Sequence, residues 1–205
     1  MSDAVIWLVV IAGVGVVVVR RRSVAIALVA LQSLLLGAQA IADAAGASVS
    51  LLVAGVVLVG KGILLPVLLG VVVARTREPR RIASEDHPLA RLAIALAVAL
   101  AIVVLMPRFG LRTASAEHAA VGLVALGICT AVVRRGAVFQ VLGFLLAENG
   151  LYLAALSTPG GLPAFIEIGL VFDLVVVVSV AGAFSAKIHE QFGTGDTSLL
   201  GGLRD

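Results

Sequence analysis

The chain has one cysteine, Cys129, and it lies inside an apolar run. A lone thiol excludes an internal disulfide, an iron–sulfur cluster and a cysteine-based metal set, so it reads as a small packing residue. Histidine is nearly as scarce: His87, His118 and His189 all fall outside the apolar runs, with no spacing that suits a metal. There is no GxxxxGK[ST] phosphate loop and no serine, cysteine and histidine arrangement for a nucleophile. The chain therefore offers no active site and calls for no cofactor; any redox chemistry belongs to a partner. Charge is thin as well, at 13% of residues against about a quarter in soluble domains.

What is present in abundance is apolar surface, 61% of the 205 residues. A water-soluble core has too few interior positions to hide it, so the chain reads as an all-α, polytopic membrane helix bundle. Seven spans can be marked, at about 4–19, 24–42, 49–74, 89–106, 119–133, 137–157 and 161–186. A helix rises 1.5 Å per residue, so about 20 residues cross a hydrocarbon core of about 30 Å. The first and fifth runs are short for this. Helices are preferred to a barrel because the runs are continuous and do not alternate. Asp3 precedes the first run and Arg20–Arg22 follow it, the wrong polarity for a cleaved export signal, so a retained first span is expected.

The net charge of +3 does not point to nucleic acid, because the arginines sit in short clusters between apolar runs. That is the pattern of cytoplasmic membrane loops. With the N-terminus outside, eleven basic residues fall inside and only Arg108 and Arg112 outside. The expected location is the inner (plasma) membrane, with a cytoplasmic C-terminus.

The chain also repeats itself. Arg21–Arg22 and Arg134–Arg135 are 113 residues apart, and Gly37 matches Gly150 at the same offset. A slip to 112 aligns Leu58–Val59 with Leu170–Val171, Gly70 with Gly182 and Arg75 with Lys187, and sets Lys61 opposite Asp173. The expected organisation is a three-helix repeat at 1–75, a cytoplasmic loop and linking helix at 76–116, a second three-helix repeat at 117–188 and a cytoplasmic tail at 189–205. The linking span makes the two repeats parallel. The alternative is chance similarity among helices built from Ala, Val, Leu and Gly.

Three ionisable residues lie mid-way along apolar runs: Lys61, Glu148 and Asp173. A charge at the bilayer centre costs about 2.5–3.5 kcal/mol on insertion scales. Such groups persist by pairing, by reaching water or by losing their charge. Glu148 lies about 16 Å into its span, followed by Asn149 and accompanied by Gly143, Ala147, Gly150 and Ala154, which permit close helix approach. Lys61 stands between Gly60 and Gly62, with Pro66 one turn on. Pro66 cannot donate to the Gly62 carbonyl, which marks a helix break beside a titratable amine. Glu167 shares the last span with Asp173 but lies near the outer surface, about 120° away round the helix. Lys61, Glu148, Asp173 and Glu167 are the proton-pathway candidates. Each also has a plain reading as a static ion pair, helix glue or a solvated surface group. Gln32 and Gln39 on the second span are possible hydrogen-bond partners.

The stretches GFLLAENGLYLAAL, PAFIEIGLVFDLVVVV and AKIHEQFGTGDTSLLGGL, with GKGILLPVLL earlier, closely resemble hydrogenase-4 component E, over essentially the whole chain. That family is related in turn to the small K subunit of respiratory complex I, to which RRGAVF at Arg134–Phe139 is similar. With the arginine pairs aligned, Glu148 falls about one turn beyond the K subunit's membrane glutamate, on a similar face. The resemblance implies a non-catalytic membrane subunit of a group 4 [NiFe]-hydrogenase-type complex, in which electron transfer elsewhere drives proton or sodium movement. Its partners would be antiporter-like and hydrogenase-type subunits and the lipid bilayer. Two other readings compete, a self-sufficient secondary transporter and a purely structural membrane subunit.

Overall fold

The apolar runs fold as six α-helices in the computed structural model, which describes residues 2–44, 49–75, 88–134 and 137–159. They are α1 (Asp3–Val18), α2 (Arg22–Ala44), α3 (Val49–Arg75), α4 (Pro88–Leu105), α5 (Ala114–Val133) and α6 (Ala137–Leu156). The expected seventh span and tail, with Glu167 and Asp173, lie outside the described residues.

Five helices match the expected bounds to within two residues. The exception is α5, which starts five residues before the expected 119. Thr113 accepts a hydrogen bond from the Ala116 amide and so caps the helix, and the polar turn Ala114–His118 is helical although it is not part of the apolar run. At 20 residues, α5 is long enough to cross a membrane, as are α2, Leu51–Gly70 of α3 and Val138–Leu156 of α6. Asp3–Val18 and Leu92–Leu105 are shorter apolar helices. A second correction concerns Pro66. α3 runs through it without interruption, so the proline removes one hydrogen bond and does not end the helix.

Large aliphatic and aromatic side chains are exposed on the outer faces, among them Trp7, Ile11, Val53, Leu64, Leu100 and Val132. Apolar residues both inside and outside the bundle define helices that meet lipid. α6 is the most enclosed, with Leu142, Leu145, Leu146 and Leu153 fully buried.

Lipid gives little hydrophobic force between helices, so packing depends on close backbone approach and interhelical hydrogen bonds. Both devices are present. α2 meets α3 at Gly37 and Gly55, where a Cβ on Gly37 would lie 2.9 Å from the Gly55 carbonyl oxygen. α5 meets α6 at Gly127 and Gly143, where the corresponding distance from Gly127 is 2.5 Å. Around these two pairs, α1 packs on α2 and α5, α4 on α5 and α1, and α2 on α6.

α1 and α5 run in the same direction. At their starts, the Ser115 hydroxyl lies 3.1 Å from Asp3 Oδ1. At their ends, Arg134 Nη1 donates to the carbonyls of Val17 at 3.0 Å and Val19 at 2.8 Å. A cation on the last carbonyls of α1 also opposes the negative end of that helix's dipole. Phe139 holds the guanidinium from the other side, with its ring centroid 3.5 Å from Cζ. Arg134 is therefore buried without being a free charge.

Candidate functional site

The buried polar groups converge half-way along α2, α3 and α6. On α2, Gln32 and Ser33 form an adjacent polar pair inside LVALQSLLLG; on α6 the pair is Glu148–Asn149. Adjacent helix positions differ by 100°, so each pair can serve two neighbours. Glu148 turns toward α3 and Asn149 toward α2.

Lys61 leaves α3 where that helix approaches α2, a Cβ on Gly62 falling 3.2 Å from Ser33 Cβ. The amine reaches the Glu148 carboxylate to form a buried ion pair. It also lies 5.3 Å from the centroid of Tyr152, four residues beyond Glu148 and hence on the same face of α6. The ring's negative face adds to the attraction for an ammonium removed from water.

Asn149 Nδ2 donates to Gln32 Oε1 at 3.3 Å, and the Ser33 hydroxyl lies 3.0 Å from Asn149 Oδ1. Gln32 Nε2 donates to the Val9 carbonyl of α1 at 2.7 Å. Ser33 Oγ is also 3.3 Å from the Val29 carbonyl, so its one proton has two acceptors in reach. Three helices are joined in this way around the ion pair. Gln39, by contrast, bonds Asp43 of its own helix at 2.8 Å and takes no part.

The sequence candidates thus divide. Lys61 and Glu148 meet, Pro66 stands one turn from Lys61, and Gln32 joins the same cluster through Asn149. Ser33 was missed; the signal for it was its position beside Gln32 in an otherwise apolar run. Glu117 was also missed. It is buried at the start of α5 and accepts a hydrogen bond from the Phe109 amide, tying down the loop between α4 and α5. Gly110, in the same loop, takes a left-handed φ of 78°.

Two hollows lie near these groups. The larger, about 330 Å³, sits between α4, α5 and α6 among aliphatic side chains with Glu117 at its edge, away from the ion pair. The smaller, about 10 Å³, lies between α2, α3 and α6 and is lined by Ser33, Lys61, Gly62 and Pro66 among aliphatic neighbours. Among the described residues, no group of three His, Cys, Asp or Glu side chains is placed to hold a metal.

The arrangement can hold a proton in two ways. With the proton on Lys61 it is an ion pair; with it on Glu148 it is a neutral acid beside a neutral amine. Both forms are neutral overall, so neither places an isolated charge inside the bilayer.

No family model matches the chain, and no solved structure matches it significantly. It is similar to hydrogenase-4 component E of Escherichia coli strain K12, with 33% identity over 95 residues, 46% of this chain and 43% of that protein. Hydrogenase-4 component E of Shigella flexneri gives the same figures. An uncharacterized protein of Mycobacterium tuberculosis is 32% identical over 93 residues, 45% of this chain and 42% of that protein. The similar stretch spans less than half of each relative and of this chain, so the whole-length resemblance expected from the motifs is met in part. The class is a helical membrane protein. The relation to hydrogenase-4 component E is a distant one.

Proposed function

We propose that the chain is a non-catalytic integral membrane subunit of a hydrogenase-4-like, complex I-related complex that couples redox chemistry to ion movement. The observation that carries this reading is the buried Lys61–Glu148 pair, set in a hydrogen-bonded cluster shared by three helices. A proton site has to keep its geometry through changes of charge, and the amide–hydroxyl cluster supplies that. The similarity to a component of hydrogenase-4 supplies the kind of assembly.

In this reading Lys61 and Glu148 exchange the proton, and Asp173 and Glu167 extend the path along the last span. The ion is a proton or sodium. The N-terminus lies outside, and the arginine-bearing ends of α1 and α5 lie in the cytoplasm of the cell that carries the complex in its plasma membrane. Seven spans form two parallel three-helix repeats, 1–75 and 117–188, joined through 76–116 with a tail at 189–205. The parallel course of α1 and α5 and the packing of α2 on α6 support that plan, because each pairs an element with its repeat counterpart.

Affinity purification of the tagged chain from native membranes tests the reading. Antiporter-like and hydrogenase-type polypeptides should co-purify in fixed proportion. A chain that purified alone and transported solute in liposomes would establish a self-sufficient transporter instead.

A further inference from the structure

The small hollow beside Pro66 has a specific composition. Its lining includes both ends of the hydrogen bond that Pro66 removes, together with Ser33 and Lys61. Gly62 has a carbonyl whose usual donor, the amide four residues on, does not exist. Ser33 has a hydroxyl oxygen with two lone pairs, and Lys61 brings three N–H donors. The remaining lining is aliphatic, including Ile26, Leu69 and Leu142. A volume of about 10 Å³ is close to the space one water needs, and a buried water needs two to four polar partners. An apolar hollow of that size would stay dry. This one is lined by three residues that can supply polar partners, Ser33, Lys61 and Gly62.

Its position is equally informative. Ile26 and Leu142 lie near the starts of α2 and α6, and Leu69 lies toward the end of α3. All three are on the side of the ion pair that faces the arginine-bearing helix ends. Among the lining side chains, only those of Ser33 and Lys61 are polar.

We infer that the hollow is a water site, and that through it Lys61 exchanges protons with the arginine-bearing end of the bundle. This rests on the proposed ion-translocating function and adds the side of access to it. A hydronium arriving from that end gives its proton to the neutral amine, leaving ammonium and water; the reverse step returns the proton. Ile26, Leu69 and Leu142 line the hollow toward that end, and exchange passes between them. The missing hydrogen bond at Pro66 makes α3 the helix best able to move.

Ala30 also lines the hollow and belongs to no polar interaction described above. Ala30→Leu fills the space with methyl groups while leaving Lys61, Glu148, Ser33 and Pro66 in place. The experiment is a cryo-EM map of the intact complex in lipid nanodiscs, sharp enough to show ordered water, with proton uptake measured from each side. The expected result is a water peak within hydrogen-bond distance of Lys61 Nζ, Ser33 Oγ and the Gly62 carbonyl. In Ala30→Leu, that peak is lost and uptake from the arginine-bearing side slows several-fold, with subunit yield unchanged. Ala30→Val serves as the milder filling if the leucine variant assembles poorly. An empty hollow in a map with clear water elsewhere, or normal uptake in the filled variant, overturns the inference. Glu148→Gln separates the two levels. If it abolishes pumping while the hollow is dry, the function stands and the water site falls. If the water is present but Glu148→Gln pumps normally, the water site stands and the proton role of the pair falls.

Discussion

Gly127 on α5 and Gly143 on α6 face each other so closely that a Cβ on either would lie 2.5–2.6 Å from the other's carbonyl oxygen. No side chain larger than hydrogen fits there without separating the two backbones. The contact matters beyond packing, because α6 carries Glu148 and Asn149 at fixed heights relative to α2 and α3.

Gly143→Val should therefore reduce assembly. Overpacking costs about 1–3 kcal/mol in well-packed interiors, and here the obstruction is backbone. Gly70→Val is the control, since a Cβ there meets nothing within 4 Å. Thermal stability of the purified complex should fall clearly for Gly143→Val and stay near wild type for Gly70→Val. Equal stability of both variants would mean that α5 and α6 do not meet at these glycines.

Arg134 gives a second test, because the guanidinium closes α1 onto α5 and stacks on Phe139. Hydrogen bonds to a charged group are worth about 1.5–3 kcal/mol each. Arg134→Ala should lower stability by an amount of that order. Arg134→Lys keeps the charge but lacks the planar fork, so it should recover only part. Full recovery by lysine in a melting experiment would show that the charge alone, not the two-carbonyl geometry, holds this end.

The helices were legible in the sequence because lipid-facing and core-facing positions are both apolar, which makes each span a continuous run. The same uniformity hides rotation about the helix axis. Nothing in LVALQSLLLG says which neighbour Gln32 faces; the answer came from Asn149 on α6 and Val9 on α1. Lys61 and Glu148 were visible individually, since a charge in an apolar run is conspicuous, but their pairing was only one of several possibilities. The start of α5 was misplaced because hydropathy reports the membrane boundary and Thr113 reports the helix boundary. At Pro66 the sequence shows only the certain loss of one local hydrogen bond, whereas the continuity of α3 depends on its packing against α2.

Topology is testable at positions the fold groups together. Ser115 adjoins Asp3 at the start of α1, and the Ser157 carbonyl accepts from the Arg112 amide. Cysteines placed at Ser115 and Thr158, in a Cys129→Ser background, should label with an impermeant reagent from one side, the outside. A cysteine at the exposed Arg21 should label from the other. Labelling of Ser115 and Thr158 from the cytoplasm alone would reverse the proposed orientation.

The decisive experiment concerns the ion pair, because relay and static pair predict opposite patterns. Glu148→Gln keeps the shape and part of the hydrogen bonding but carries neither a proton nor a negative charge. If the pair is static, this change leaves a buried ammonium, and removing one member of a buried pair costs about 3–5 kcal/mol. Subunit yield would fall first, and Lys61→Met together with Glu148→Gln would restore both yield and pumping. If the pair exchanges protons, assembly survives while redox-driven pumping drops sharply. The double mutant then assembles and remains uncoupled. Yield and proton uptake measured in the two single mutants and the double distinguish these patterns. The expected outcome is intact assembly with lost coupling in Glu148→Gln and no rescue of pumping in the double mutant; normal pumping in the double would rule out proton transfer through Lys61 and Glu148.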